Sequence, residues 1–126
     1  MAAAGAGDHE LAADVREHLQ ATYGVRATDV LADLDEAPEL ARRIDPELPY
    51  IWAEIVHAAR DEHALEVEDA LARRAPLMRD ARDQGLGAAE RAGGLMARVL
   101  GWTEERRAAS VARYRTAVAV SRKWRE

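Results

Sequence analysis

The sequence predicts an all-α fold, an irregular bundle of five to seven helices in a single domain, and three observations carry that prediction. Apolar residues recur at three-to-four spacing along most of the chain. No segment alternates apolar and polar residues between hairpin turns, and no repeat of fixed period is present. The composition is rich in Ala, Leu, Arg and Glu, all good helix formers. With no Phe, three Trp and three Tyr in 126 residues, the single core that fits this length is aliphatic.

The elements follow in order. Residues 1–7, small and without periodicity, read as a disordered lead-in or junction, leaving 8–126 as the helical domain. Asp8 is placed to cap a first helix over about 9–23, with Leu11, Val15, Leu19 and Thr22 or Tyr23 on one line and Gly24 as its stop. Thr28 or Asp29 then caps a short segment, Val30 to Leu34, and Pro38 suits the first turn of another. Asp45-Pro46 and Leu48-Pro49 make a turn.

The central helix is expected from Pro49 to about Ala64. Ile51, Ile55, Ala58 and Ala59 form one stripe, and Trp52, Val56 and His63 an adjoining one, so this helix packs against more than one neighbour. Leu65, Val67, Leu71 and Leu77 mark a shorter helix ending near Arg73-Arg74-Ala75-Pro76, because Pro76 disfavours helical geometry at Ala75. Arg79 to Gly87 reads as a loop. Ala88 to Leu100 resumes helix despite Gly93-Gly94, which close helix contact would justify. Gly101 suits a left-handed stop with Trp102 folding back, and Thr103 caps a last helix to about residue 123, with Val111, Tyr114, Val118 and Ser121 in line.

Composition also excludes chemistry. Without Cys there is no disulfide framework, thiolate nucleophile or Cys-ligated metal. No run of about twenty apolar residues spans a membrane, so the chain is expected to be soluble and cytoplasmic. The net charge of -5 conceals an asymmetry: residues 1–70 carry 5 Lys/Arg against 17 Asp/Glu, and residues 71–126 carry 13 against 6. A basic half beside an acidic half finds its partner within the domain sooner than on nucleic acid.

Glu54, His57 and Asp61 stand at i, i+3 and i+7, a spacing that can offer a carboxylate and imidazole to a metal. No second Glu-x-x-His exists, and His9, His18 and His63 lack such a partner, so a hydrogen-bonded histidine is the preferred reading and no metal is expected. Gly85-Leu86-Gly87 and Gly5-Ala6-Gly7 do not complete a dinucleotide fingerprint, and no nucleophile has a base beside it. Arg60, Arg73 and Arg74 form a group able to hold an anion or a neighbouring domain, although ion pairs with Glu62, Glu66 or Asp69 are the plainer expectation.

Several segments taken together carry a resemblance. They are Tyr23-Gly24-Val25-Arg26-Ala27; Leu48-Pro49-Tyr50-Ile51-Trp52-Ala53-Glu54-Ile55; Arg60-Asp61-Glu62; Glu68-Asp69-Ala70-Leu71-Ala72-Arg73-Arg74; Asp80 to Ala89; and Leu95 to Trp102, including Gly101. In order and spacing they resemble the C-terminal domain of FAD-dependent aerobic glycerol-3-phosphate dehydrogenases and alpha-glycerophosphate oxidases. His57, Asp61 and Ala75 depart from it, where Tyr, His and Thr are usual. The resemblance implies a helical cap on an enzyme that oxidises sn-glycerol 3-phosphate to dihydroxyacetone phosphate and passes electrons through FAD to a quinone.

By that resemblance the FAD and catalytic residues lie N-terminal to this domain, so none falls on this chain. Its partners would be the FAD and substrate domains of the same parent, which sits in the cytoplasm, peripheral to the inner face of the cell membrane and with homodimerisation left open. The charged residues Arg60, Glu62, Arg73 and Arg74 would then fix the cap in place. The alternative is a freestanding interaction module that binds a partner through Trp52 or Trp124.

Overall fold

The computed structural model describes residues 11–125, and every regular element among them is helical. The lead-in over 1–7 and the cap expected from Asp8 lie outside the described residues. Six α-helices are present: α1 (Ala13–Tyr23), α2 (Ala27–Val30), α3 (Ala53–Asp61), α4 (Leu77–Asp80), α5 (Ala89–Leu100) and α6 (Glu104–Arg125). Between them lie 3-10 turns at Gly24–Arg26, Pro38–Ala41 and Leu86–Ala88, and a π-helical segment at Asp69–Arg74.

α3 is the axis of the bundle. Ile51 through Ala59 are all buried, so the helix is enclosed by α2, α5 and the π-helical segment, with Glu54 and His57 buried among its apolar residues. The helix is shorter than the Pro49–Ala64 span expected. At its start, Ile44 donates to the Tyr50 carbonyl and Trp52 to the Arg42 carbonyl, holding Ile51 in an isolated antiparallel bridge with Arg43. At its end His63 adopts a left-handed φ of 59°, and Ala64 N–H donates across it to the Ala58 carbonyl. His63 is therefore exposed rather than part of the second stripe.

Other boundaries moved for similar reasons. Gly24 ends α1 with φ 57°, as its lack of a Cβ allows. Thr28 and Asp29 do not cap: helix already begins at Ala27, and the Thr28 hydroxyl donates back to the Val25 carbonyl at 3.3 Å. Past Val30 the chain runs on as turns that still bury Leu31 and Leu34.

Leu65 is exposed, and helix resumes only at Val67, where Asp69 accepts the backbone N–H groups of Leu65 and Glu66. The Ala75 N–H reaches the Ala70 carbonyl at 2.8 Å, the wider spacing of a π-turn. Leu77 opens α4 instead of closing the preceding helix, so part of the expected Arg79–Gly87 loop is helical.

The last junction matches its sequence closely. Gly101 is left-handed, its N–H and that of Trp102 both reach the Ala97 carbonyl, and the Thr103 hydroxyl accepts the Arg106 N–H at 3.1 Å. α5 then lies against α6 at Gly93, where an added Cβ would stand 2.7 Å from a Val111 methyl.

Candidate functional site

The motif residues converge on a carboxylate. Glu54, in the first turn of α3, is completely buried. Its Oε2 accepts the Ile51 N–H three residues back at 2.8 Å, and its Oε1 accepts the Tyr23 hydroxyl at 2.9 Å. The same Oε1 lies 2.7 Å from Nε2 of His18, whose Nδ1 faces the Thr22 hydroxyl at 3.2 Å. α1 thus supplies the imidazole and the phenol, and α3 the acid. Burial, followed by the charge of Glu54 and the hydrogen bond to it, drives the Tyr23 pKa far above its ordinary value, so Tyr23 is a fixed donor.

His57, one turn further along α3, is also buried. Its Nδ1 stands 3.1 Å from Asp61 Oδ2 and its Nε2 3.5 Å from Glu62 Oε2, yet neither nitrogen makes a hydrogen bond, because the carboxylates are near but poorly aimed. The Tyr23 ring stands edge-on to it at 5.5 Å. Two of the three positions at which this chain departs from the resemblance, His57 and Asp61, are therefore in contact with each other.

Glu62 carries the cluster to the surface. Arg26 and Arg74 each approach it at 3.8 Å, and Arg74 also donates to its backbone carbonyl at 3.2 Å. The other two arginines turn away. Arg60 pairs back to Asp33 at 2.5 Å and to its neighbour Asp61 at 3.0 Å, while Arg73 pairs with Asp69 at 2.6 Å, one turn before it. The arginine trio does not gather at a single anion site: Arg73 with Asp69 and Arg74 with Glu62 take acids that were expected, while Arg60 takes Asp33 and Asp61 instead.

Tyr50, held by Pro49 and the bridged turn, packs edge-on to His18 at 4.8 Å and donates to Asp80 of α4 at 2.6 Å. Burial and that acceptor push its hydroxyl up to about 12. Trp102, beyond Gly101, is stacked by the Arg106 guanidinium at 4.8 Å. Trp52 is buried beneath Arg91 and offers nothing to a partner, whereas Trp124 is exposed.

A second acid centre escaped the sequence. Glu66 receives Arg106 at 2.7 Å, Arg113 at 3.1 Å and the Ser110 hydroxyl at 2.8 Å, and Ser110 in turn accepts the Val67 N–H. Burial opposes its ionisation, but the hydrogen bonds from Arg113, Ser110 and Arg106 together hold the carboxyl down to about 2. The available signal was Ser110 itself, one helical turn before Tyr114 and two before Val118 on the apolar line of α6, where a polar group needs a partner. Arg74 to Glu62, Arg82 to Glu47 and Arg106 to Glu66 join the basic half of the chain to the acidic half.

Chemically the Glu54 centre is closed. Every Glu54 contact is internal, and two clefts, of about 330 and 200 Å³, lie elsewhere, between the 38–41 turn and α5. Glu54 faces His18 rather than His57, and among the described residues no three His, Asp or Glu side chains are grouped to hold a metal ion. Nor, among the described residues, is there a strand leading into a glycine turn and helix to receive a pyrophosphate. No helix among the described residues is long and apolar enough to cross a membrane.

Comparison with known proteins gives this arrangement its context. Residues 1–107 match the family described as the C-terminal domain of alpha-glycerophosphate oxidase. A glycerol-3-phosphate dehydrogenase of Synechocystis is 38% identical over 89 residues, 71% of this chain and 16% of that protein. One from Mycobacterium leprae is 38% identical over 101 residues, 80% of this chain and 17% of that protein, and glycerol-3-phosphate dehydrogenase 2 of Mycobacterium tuberculosis is 37% identical over 86 residues. The chain spans about a sixth of the length of these curated relatives. No solved structure matches.

Proposed function

Because this chain belongs to the family of C-terminal domains of alpha-glycerophosphate oxidases, whose relatives here are glycerol-3-phosphate dehydrogenases, we propose that it is the helical cap of an FAD-dependent enzyme that oxidises sn-glycerol 3-phosphate to dihydroxyacetone phosphate. A flavin bound by the remainder of such an enzyme would supply the two-electron acceptor for the C2 carbinol, with a quinone as the final acceptor. The observation that carries this reading is the match to the C-terminal-domain family together with the 37–38% identity to about a sixth of those dehydrogenases.

The part played by this chain is structural. Tyr23, His18 and Ile51 hold Glu54, and Glu54 fixes α1 against α3, so the face carrying Arg26, Glu62 and Arg74 has one orientation. Its partners are the FAD and substrate domains of the parent, working on the cytoplasmic side at the membrane surface, where the quinone is reached.

The test is an assay of the whole polypeptide that carries this domain, beside the 126-residue chain alone. The whole polypeptide is expected to show bound-flavin absorbance and glycerol-3-phosphate-dependent reduction of a quinone analogue, and the 126-residue chain neither. A whole polypeptide without flavin, or oxidation by the 126-residue chain, overturns the reading. In the whole enzyme, Arg74→Ala is expected to lower thermal stability and leave KM for glycerol 3-phosphate nearly unchanged; a large rise in KM with stability intact would place Arg74 at the substrate instead.

A further inference from the structure

Building on that reading, we propose that the face formed by Val25, Arg26 and Arg74 is where this domain docks on the catalytic remainder of its enzyme, and that the docked surface presents carboxylates around an apolar recess. Val25 is 93% exposed, the most open of the large apolar side chains among the described residues. Its position is fixed: Gly24 turns the chain at φ 57°, and the Ala27 N–H closes the turn on the Gly24 carbonyl. The turn cannot fold Val25 inward without unmaking the end of α1.

Arg26 adjoins Val25 in the chain, and Arg74 joins it around Glu62. Arg26 and Arg74 share the single carboxylate of Glu62, each at 3.8 Å, too far for a hydrogen bond to it. Each guanidinium carries five N–H donors, and the one hydrogen bond the pair makes among the described residues is from Arg74 to the Glu62 carbonyl. The Arg26 and Arg74 side chains are 58% and 45% exposed, so their remaining donors are open to a partner.

A free phosphate would satisfy the arginines and leave Val25 in water. A protein surface with carboxylates satisfies both, and arginines beside an apolar contact are the composition of an interface. The relatives supply the occupant, because about five sixths of their length lies outside the region this chain matches.

The experiment is hydrogen exchange over residues 24–27 and 73–75, measured in the whole polypeptide that carries this domain and in the 126-residue chain. Docking predicts exchange at least tenfold slower in the whole polypeptide, with residues 119–123 near the end of α6 unchanged between the two. In the whole polypeptide, the double variant Arg26→Glu/Arg74→Glu and, separately, Val25→Asp are expected to restore the fast exchange while flavin content stays at the wild-type level. Val25→Asp alters only an open surface position, so it reports even if the double variant fails to fold. Equal exchange in the two wild-type proteins, or protection that survives both variants, overturns the docking face while flavin and activity leave the family function standing. A polypeptide with neither flavin nor glycerol-3-phosphate oxidation removes both.

Discussion

Glu54 shows how much one side chain decides in this domain. A completely buried carboxylate with three close polar partners joins α1 to α3, and hydrogen bonds to a charged group contribute about 1.5–3 kcal/mol each. Glu54→Gln, which keeps the size but removes the charge, is expected to lower unfolding stability by about 2 kcal/mol in urea titrations, and Tyr23→Phe by about 1 kcal/mol. Destabilisation of less than about 0.5 kcal/mol for Glu54→Gln would mean the acid is not the hub described. Glu66 makes a separate prediction. Its folded pKa of about 2 lies below the usual 4.5, so its contribution is present above pH 4.5 and is lost as the pH falls toward 2. Melting temperatures followed from pH 5 to pH 3 should therefore fall more steeply in the wild type than in Glu66→Gln; parallel curves would contradict the ion-pair geometry.

At the scale of elements, the two adjacent glycines of α5 separate packing from propensity. Gly93 faces Val111 of α6 and a Cβ there would stand 2.7 Å from a methyl group that cannot move away, since Val111 is itself buried. Gly94 looks into open space. Both cost helix about 1 kcal/mol relative to Ala, so Gly94→Ala is expected to stabilise by up to about that amount. Gly93→Ala is expected to destabilise by about 1–2 kcal/mol, because overpacking outweighs the propensity gain. Thermal melts of the two variants check this directly, and the same sign for both would mean α5 and α6 are not in the contact described. Tyr114 of α6 similarly locks the Gln84–Gly85 turn, donating to the Gln84 carbonyl at 2.5 Å.

For the whole molecule, the fold divides the polar residues into two kinds. One kind is consumed internally: Glu54 ties α1 to α3, Glu66 ties the chain before the π-helical segment to α6, and Asp80 of α4 takes the Tyr50 hydroxyl. The other is left facing outward at Val25, Arg26 and Arg74, at a turn set by those internal ties. A cap built this way contributes to its enzyme by holding a shape, so variants in its interior should lower melting temperature before they alter turnover. If Glu54→Gln in the whole enzyme cut kcat more than tenfold at a temperature where the protein remains folded, this division would be wrong.

The sequence by itself determined the all-α class, the central helix, the Gly24 stop and the Gly101–Thr103 junction, because each follows from local rules: apolar spacing, a glycine free to adopt positive φ, a hydroxyl able to cap. The segments that carried the family resemblance were equally legible, although the reason for their residue types was not. Only the tertiary structure decided which acid met which base. Arg60 found Asp33 rather than Glu62, His18 rather than His57 faced Glu54, and Glu66 crossed to α6 for Arg106 and Arg113. The short ends of α3 and the π-turn at Asp69–Arg74 belong with them. A long charged side chain reaches several partners at similar local cost, so its choice is made by the packing of distant helices, which periodicity along one chain does not encode.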